Sequence, residues 1–110
     1  MPVWQNAHRL STEIFFLSKN LPRSEDYSLT SQIRRASSSV SANISEAFGR
    51  KTNKDKSNFY VIARGSAFET QNHLLYGKSV GFFEEERTLE LFESYDDLIH
   101  EINKILSAFS

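Results

Sequence analysis

Apolar residues return along this chain at helical rather than strand spacing. Val3, Ala7, Leu10, Ile14 and Leu17 alternate steps of four and three, which puts all five on one stripe of a helix. That segment is expected to stop before Pro22, because the residue preceding a proline avoids the α region. A second stripe runs Leu29, Ile33, Ala36, Val40, Ile44 and Ala47, with Ser28 or Thr30 as N-cap and Gly49 as the stop. Its middle, Ser39 to Ser45, alternates as a strand would, yet helical spacing continues on both sides and a helix is the reading. A third helix is expected to start after Thr52 or Asn53, carry Phe59, Ile62, Ala63, Ser66, Ala67, Thr70 and Leu74, and end near Gly81 with Lys78 in its last turn. The fourth opens on Glu84, Glu85 and Glu86, acids that suit a helix N-terminus, and repeats Leu91, Tyr95, Leu98, Ile102, Ile105 and Phe109 in heptads. Short loops between four helices predict an all-α, antiparallel up-and-down four-helix bundle.

Helices two and three carry small residues where they would meet: Ala36, Ser37, Ser38, Ser39, Ser41 and Ala42 on one, Ala63, Gly65, Ser66 and Ala67 on the other. Close backbone approach is expected there, and Gly65, which costs about 1 kcal/mol against alanine inside a helix, is expected to have a packing reason. Trp4, Phe15, Phe16, Phe48, Phe68, Phe82 and Phe83 cannot all lie on the inner stripes. That surplus predicts apolar surface able to join subunits.

The 110 residues and 12.7 kDa suffice for one core, so residues 1–110 are read as a single domain. With 39% hydrophobic and 25% charged residues the chain is ordinary for a globular protein. It has no cysteine, hence no disulfide, thiolate metal site or cysteine nucleophile. No apolar run approaches the roughly 20 residues of a membrane helix, and the first residues lack a signal peptide's basic and apolar stretches, so a cytoplasmic protein without membrane contact is expected. The net charge of −1 conceals a polarity along the sequence. Residues 31–65 carry seven basic side chains against Glu46 and Asp55, a net +5, whereas residues 81–110 carry Arg87 and Lys104 against eight acids, a net −6. Either the basic segment meets an anionic partner or the two segments neutralise each other within or between chains.

Motifs for catalysis do not assemble. Gly77-Lys78-Ser79 matches the tail of a phosphate-binding loop, but Asn72 stands where its first glycine is required. Asp97 and His100 have one Glu-x-x-His-like spacing and no second copy, and His8 and His73 have no nucleophile set around them, so no catalytic residue, metal or cofactor is expected. Asn43-Ile44-Ser45 is a glycosylation sequon only in form, inside a helix of a cytoplasmic chain. The informative residues are polar ones on the slim helices: Arg34, Arg35, Ser39, Asn43 and Glu46 on the second, Arg64, Ser66 and Glu69 on the third. Asn43 continues the Leu29-Ile33-Ala36-Val40 heptad, so its amide is expected to point inward and pair. Asn43, Glu46, Arg64, Ser66 and Glu69 are read as a polar network fixing helix register, with Glu69 a partner for a buried arginine. Arg50, Lys51, Lys54 and Lys56 cluster between these helices and are the candidate nucleic-acid contacts, with Arg34 and Arg35 behind them.

At these residues the sequence resembles a known family. Leu29-Thr30-Ser31-Gln32-Ile33-Arg34-Arg35-Ala36, the stretch Ser39-Val40-Ser41-Ala42-Asn43-Ile44-Ser45-Glu46-Ala47-Phe48-Gly49-Arg50, and Ile62-Ala63-Arg64-Gly65-Ser66 with Glu69 closely resemble the 23S rRNA intervening-sequence proteins of bacteria. The resemblance spans nearly the whole chain. It implies an up-and-down bundle that assembles into a ring, commonly a pentamer, with no enzymatic activity. It also implies kinship with the accessory variability determinant proteins of diversity-generating retroelements, basic rings that bind nucleic acid and a reverse transcriptase. Two functions stand at this point: a homo-oligomeric accessory protein that binds RNA or DNA, and a homo-oligomeric scaffold whose partner is a protein. Against the first, residues 49–58 hold no aromatic side chain on which a base would stack.

Overall fold

Each helix is bounded by a local device. In the computed structural model, which describes residues 2–110, α1 spans Pro2–Ser18, α2 Leu29–Phe48, α3 Asn53–Ser79 and α4 Glu85–Phe109, with no strand among the described residues. Pro2 begins α1, where its missing N–H is no loss. The helix ends at Ser18, two residues before the latest stop that Pro22 allows, and one 3-10 turn, Arg23–Glu25, leads into α2. Ser28 holds the N-cap position but makes no cap bond; a Glu25 carboxylate oxygen instead accepts from Leu29 N at 3.4 Å. Thr52 caps α3 by accepting from Asp55 N at 3.1 Å, and Glu84 caps α4 by accepting from Glu86 N at 3.2 Å and Arg87 N at 2.8 Å.

The turn from α3 to α4 depends on two glycines. Gly81 takes a positive φ of 89°, and the bonds Phe82 N to Gly77 O at 2.8 Å and Gly81 N to Lys78 O at 3.1 Å close a Schellman motif. Gly77 is where Phe83 folds back: a Cβ there would lie 2.3 Å from the ring. The Gly77-Lys78-Ser79 sequence is thus a helix stop with a seat for an aromatic ring.

α1 packs on α2 and α4, and α3 packs on α2 and α4, which makes an antiparallel square of helices 43 × 25 × 19 Å. The core follows the predicted stripes except on α3, where Ile62, expected inward, is exposed and Tyr60 is buried instead, since Ile62 lies about 100° round the helix from Ala63. Val3, Ala7, Leu10 and Ile14 of α1 meet Leu29, Ile33, Val40, Ile44 and Ala47 of α2, Tyr60, Ala63, Ala67 and Leu74 of α3, and Leu91, Tyr95, Leu98 and Ile102 of α4. The small residues where α2 and α3 touch are fewer than expected. Ala36, Ala63, Ser66 and Ala67 are buried and Ser66 Oγ donates to Ser39 Oγ at 3.0 Å, but Ser37 and Ser38 lie on the side toward α1 and Ala42 is exposed, because at about 100° per residue the run of small residues winds round the helix. Gly65 does not belong to that seam. It is exposed, with no atom within 4 Å of where its Cβ would stand, so the bundle itself gives it no packing reason.

Candidate functional site

Four of the six candidate cations collect at the end of the bundle where α2 turns into α3, and two of those four are already engaged. Lys56 Nζ donates to the carbonyl oxygens of Ala47 at 3.0 Å and Phe48 at 3.4 Å, supplying donors to a helix end that has lost its own. Arg50 donates to Glu46 at 3.2 Å and lies 4.5 Å from the centre of the Phe59 ring, which covers the aromatic nearest the cluster. Lys51 and Lys54 are exposed and form no ion pair among the described residues. Arg34 and Arg35 stand elsewhere. Arg35 lies about 22 Å of helix rise from Arg50, so the six cations do not share one surface.

The expected polar network divides into separate contacts. Asn43 is half-buried on the shoulder of α2, not in its seam, because at 3.6 residues per turn Ile44 and Ala47 take over the inward stripe from the heptad that Asn43 continues. Its amide donates to Ser39 O at 2.8 Å and Ser39 Oγ at 3.0 Å within its own helix. Glu69 accepts from Arg35, and His73 Nε2 lies 3.2 Å from the same carboxylate, but the Glu69 and Arg35 side chains are 37% and 55% exposed. The arginine that meets Glu69 is therefore a surface one. Arg64 turns to α4 and donates to Asn103 at 2.7 Å, while Glu46 among the described residues pairs only with Arg50.

The buried polar link between α3 and α4 is Gln71, which the sequence pattern did not single out. At 4% exposure it donates to Phe92 O at 3.0 Å and to Asp96 at 2.8 Å, tying α3 to α4. Across the other seam Arg87 donates to Glu13 at 2.8 Å, and this bond, more than any other influence, holds the guanidinium above its ordinary pKa.

Charge is separated along the long axis. The up-and-down topology puts the basic loop at one end and Glu84, Glu85 and Glu86 at the other, and the acids of α4 are mostly exposed. Among the described residues no ion pair joins segment 31–65 to segment 81–110. Within one chain the two segments therefore make no direct ion pair.

Of the surplus aromatics only Phe68 lies on the outward side of α3: Phe15 and Phe16 are exposed on α1, Phe48 at the end of α2 and Phe82 in the turn before α4, while Phe83 is buried. Other apolar side chains join Phe68. Val61, Ile62, Phe68, Leu75, Tyr76 and Val80 are all exposed, Phe68 by 53%. Spaced by helical turns with Gly65 between them, they form a stripe roughly opposite the buried one.

Among the described residues no group of three or more histidine, aspartate or glutamate side chains is placed to hold a metal ion, and no helix is long and apolar enough to cross a membrane. The family model for the 23S rRNA-intervening sequence protein matches residues 1–107. The chain belongs to that family. A solved structure from Bacteroides thetaiotaomicron, described as a protein of unknown function from the S23 ribosomal protein family, is 23% identical over 94% of this chain and 97% of its own, with a TM-score of 0.88. At that identity the likeness establishes the fold. A search of curated proteins finds no match. Neither the family description nor the structural neighbour indicates an enzyme.

Proposed function

We propose that this member of the 23S rRNA-intervening sequence family is a cytoplasmic, non-enzymatic scaffold protein that works as a homo-oligomer, with the outward face of α3 as a subunit contact. The observation that carries the reading is the exposed stripe Val61, Ile62, Phe68, Leu75, Tyr76 and Val80, with Gly65 open beside it. An exposed apolar stripe of this kind, interrupted only at Asn72, points to an interaction surface, and an exposed helical glycine lets another backbone come close. A closed ring is the form of assembly, five subunits being the number that the family resemblance implies.

Light scattering on the purified chain is expected to give a mass several times 12.7 kDa. Phe68→Ser with Leu75→Ser is expected to shift the mass toward that of one chain while helical content is kept, since neither side chain is part of the core. A parent protein that stays monomeric at every concentration overturns the proposal. Added salt is expected to leave the assembly whole, because exposed ion pairs contribute only about 0–1 kcal/mol.

A second reading, contact with RNA or DNA, is favoured by one observation: the basic segment has no acidic partner from residues 81–110 in its own chain. Lys51 and Lys54 are its contacts, repeated on every subunit.

A further inference from the structure

Between α1 and the first half of α2 lies an open groove of about 450 Å³, within the roughly 300–1,000 Å³ of sites that take small organic ligands. The rings of Phe15 and Phe16 line it, edge to face with centroids 5.5 Å apart, and so does Arg34.

What distinguishes the groove is how Arg34 is held. Its Nε donates to Ser18 Oγ at 2.8 Å, and Ser18 is itself buried and anchored by donating to Phe15 O at 2.9 Å. The guanidinium lies 4.4 Å from the centre of the Phe15 ring. One edge and one face of the cation are thus fixed. Its two terminal nitrogens have no acceptor, and no carboxylate pairs with it among the described residues. A half-buried cation without a counter-ion is costly, and an oxyanion that meets both terminal N–H groups relieves that cost.

The other lining groups do not compete for the anion. Ser11 and Thr12 donate to His8 O, and Ser37 and Ser38 to the carbonyls of Arg34 and Arg35, so their hydroxyl oxygens remain as acceptors only. Lys19 Nζ, 5.6 Å from the centre of the Phe16 ring, adds a second positive charge on the aromatic side.

We propose that this groove binds a small organic anion: one carboxylate, sulfonate or phosphate on an apolar or aromatic body. The oxyanion sits on the free edge of Arg34 and the body lies against Phe15 and Phe16.

The test is a fluorescence titration of the full chain in its native assembly with 1-anilinonaphthalene-8-sulfonate, beside the uncharged N-phenyl-1-naphthylamine. Saturable binding of the sulfonate is expected. Arg34→Gln should weaken it roughly tenfold, the loss of one charge-assisted contact, with Arg34→Lys in between and the neutral dye unaffected. Phe16→Ser should weaken both dyes, and Tyr27→Ser, at a fully exposed position, neither. Decanoate and 1-naphthoate as competitors tell an aliphatic from an aromatic body, and displacement by at least one is required. Circular dichroism melts establish that each variant is folded. Equal sulfonate affinity in Arg34→Gln and parent, indifference to Phe16→Ser, absence of saturable binding because a second copy covers the groove, or displacement by an oligonucleotide instead of the small acids would each overturn the assignment.

Discussion

Tyr95 carries a polar atom into the middle of the bundle without a partner. Its ring is fully buried, its hydroxyl makes no hydrogen bond, and burial, aided by the charge of Glu13, raises its pKa well above the ordinary phenol range. The unfolded chain releases that proton near pH 10 while the native chain keeps it. Above about pH 10 the unfolded state therefore binds fewer protons, and stability falls as pH rises. Tyr95→Phe is expected to remove this part of the alkaline loss. At pH 7 it should leave stability unchanged or raise it by up to about 1 kcal/mol, since the hydroxyl makes no bond to lose. Urea unfolding of both proteins at pH 7 and pH 11 measures the two effects. Glu69→Ala belongs at the same scale. With both partners exposed it should cost about 0.2–1 kcal/mol, not the several that a buried pair would lose. A shift in the unfolding midpoint equivalent to 3 kcal/mol would contradict the exposed geometry. Residue roles of this kind were the least legible part of the sequence. Asn43 and Gln71 are both amides on predicted helices, and a rotation of a few tens of degrees decides which one is buried.

Elements were far more legible, because each depends on a periodic pattern many residues long. The strand-like window from Ser39 to Ser45 folds as helix because the helical stripe continues through it, Val40 and Ile44 joining Ile33 and Ala47 in the core, while Ser41 Oγ is satisfied by donating to Ser38 O. Capping was legible where a polar residue preceded the helix, as at Thr52. Gly49 is the C-cap of α2 as its place in the sequence suggested, whereas Ser28 precedes that helix without capping it, and the lysine of the next helix that meets the Ala47 carbonyl nine residues back was not legible. α3 is the element whose two faces compete. Its buried stripe of Tyr60, Ala63, Ala67 and Leu74 is no more apolar than the outward one, so periodicity alone does not say which side faces the core. Gly65 separates the two roles. In a single chain Gly65→Ala should stabilise α3 by about 0.5–1 kcal/mol, for the residue is helical, open and of ordinary φ. In the proposed assembly the added methyl group would enter the subunit contact. The variant is therefore expected to melt higher when dilute and monomeric, and to need a higher concentration to assemble. Analytical ultracentrifugation against thermal melts checks both halves, and unchanged assembly would remove Gly65 from the interface.

On the scale of the whole molecule, the charge polarity of the sequence becomes a polarity in space because an up-and-down bundle sends successive loops to opposite ends. Local geometry then thins the basic end. Of Arg50, Lys51, Lys54 and Lys56, only the second and third are free to meet phosphate, since Arg50 is paired and stacked and Lys56 caps α2. Two contacts per subunit are weak, but the proposed ring would repeat them on one side, and several engaging the same strand would bind avidly. Such binding must weaken with salt, log K falling with log salt by about 0.7 for each phosphate contact on single strands and about 0.9 on duplex. Lys51→Gln with Lys54→Gln is therefore expected to abolish most of the affinity and flatten the salt slope while the melting midpoint and oligomer mass stay the same. Lys56→Gln should act in the opposite manner, lowering the midpoint by removing donors from the α2 carbonyls and leaving most of the slope in place. Filter binding of structured rRNA and duplex DNA at several salt concentrations, beside thermal melts of each variant, separates the two. If the parent protein retains neither nucleic acid at about 50 mM salt, where screening is weakest of the usual conditions, the basic end has no nucleic-acid role and the scaffold reading stands alone.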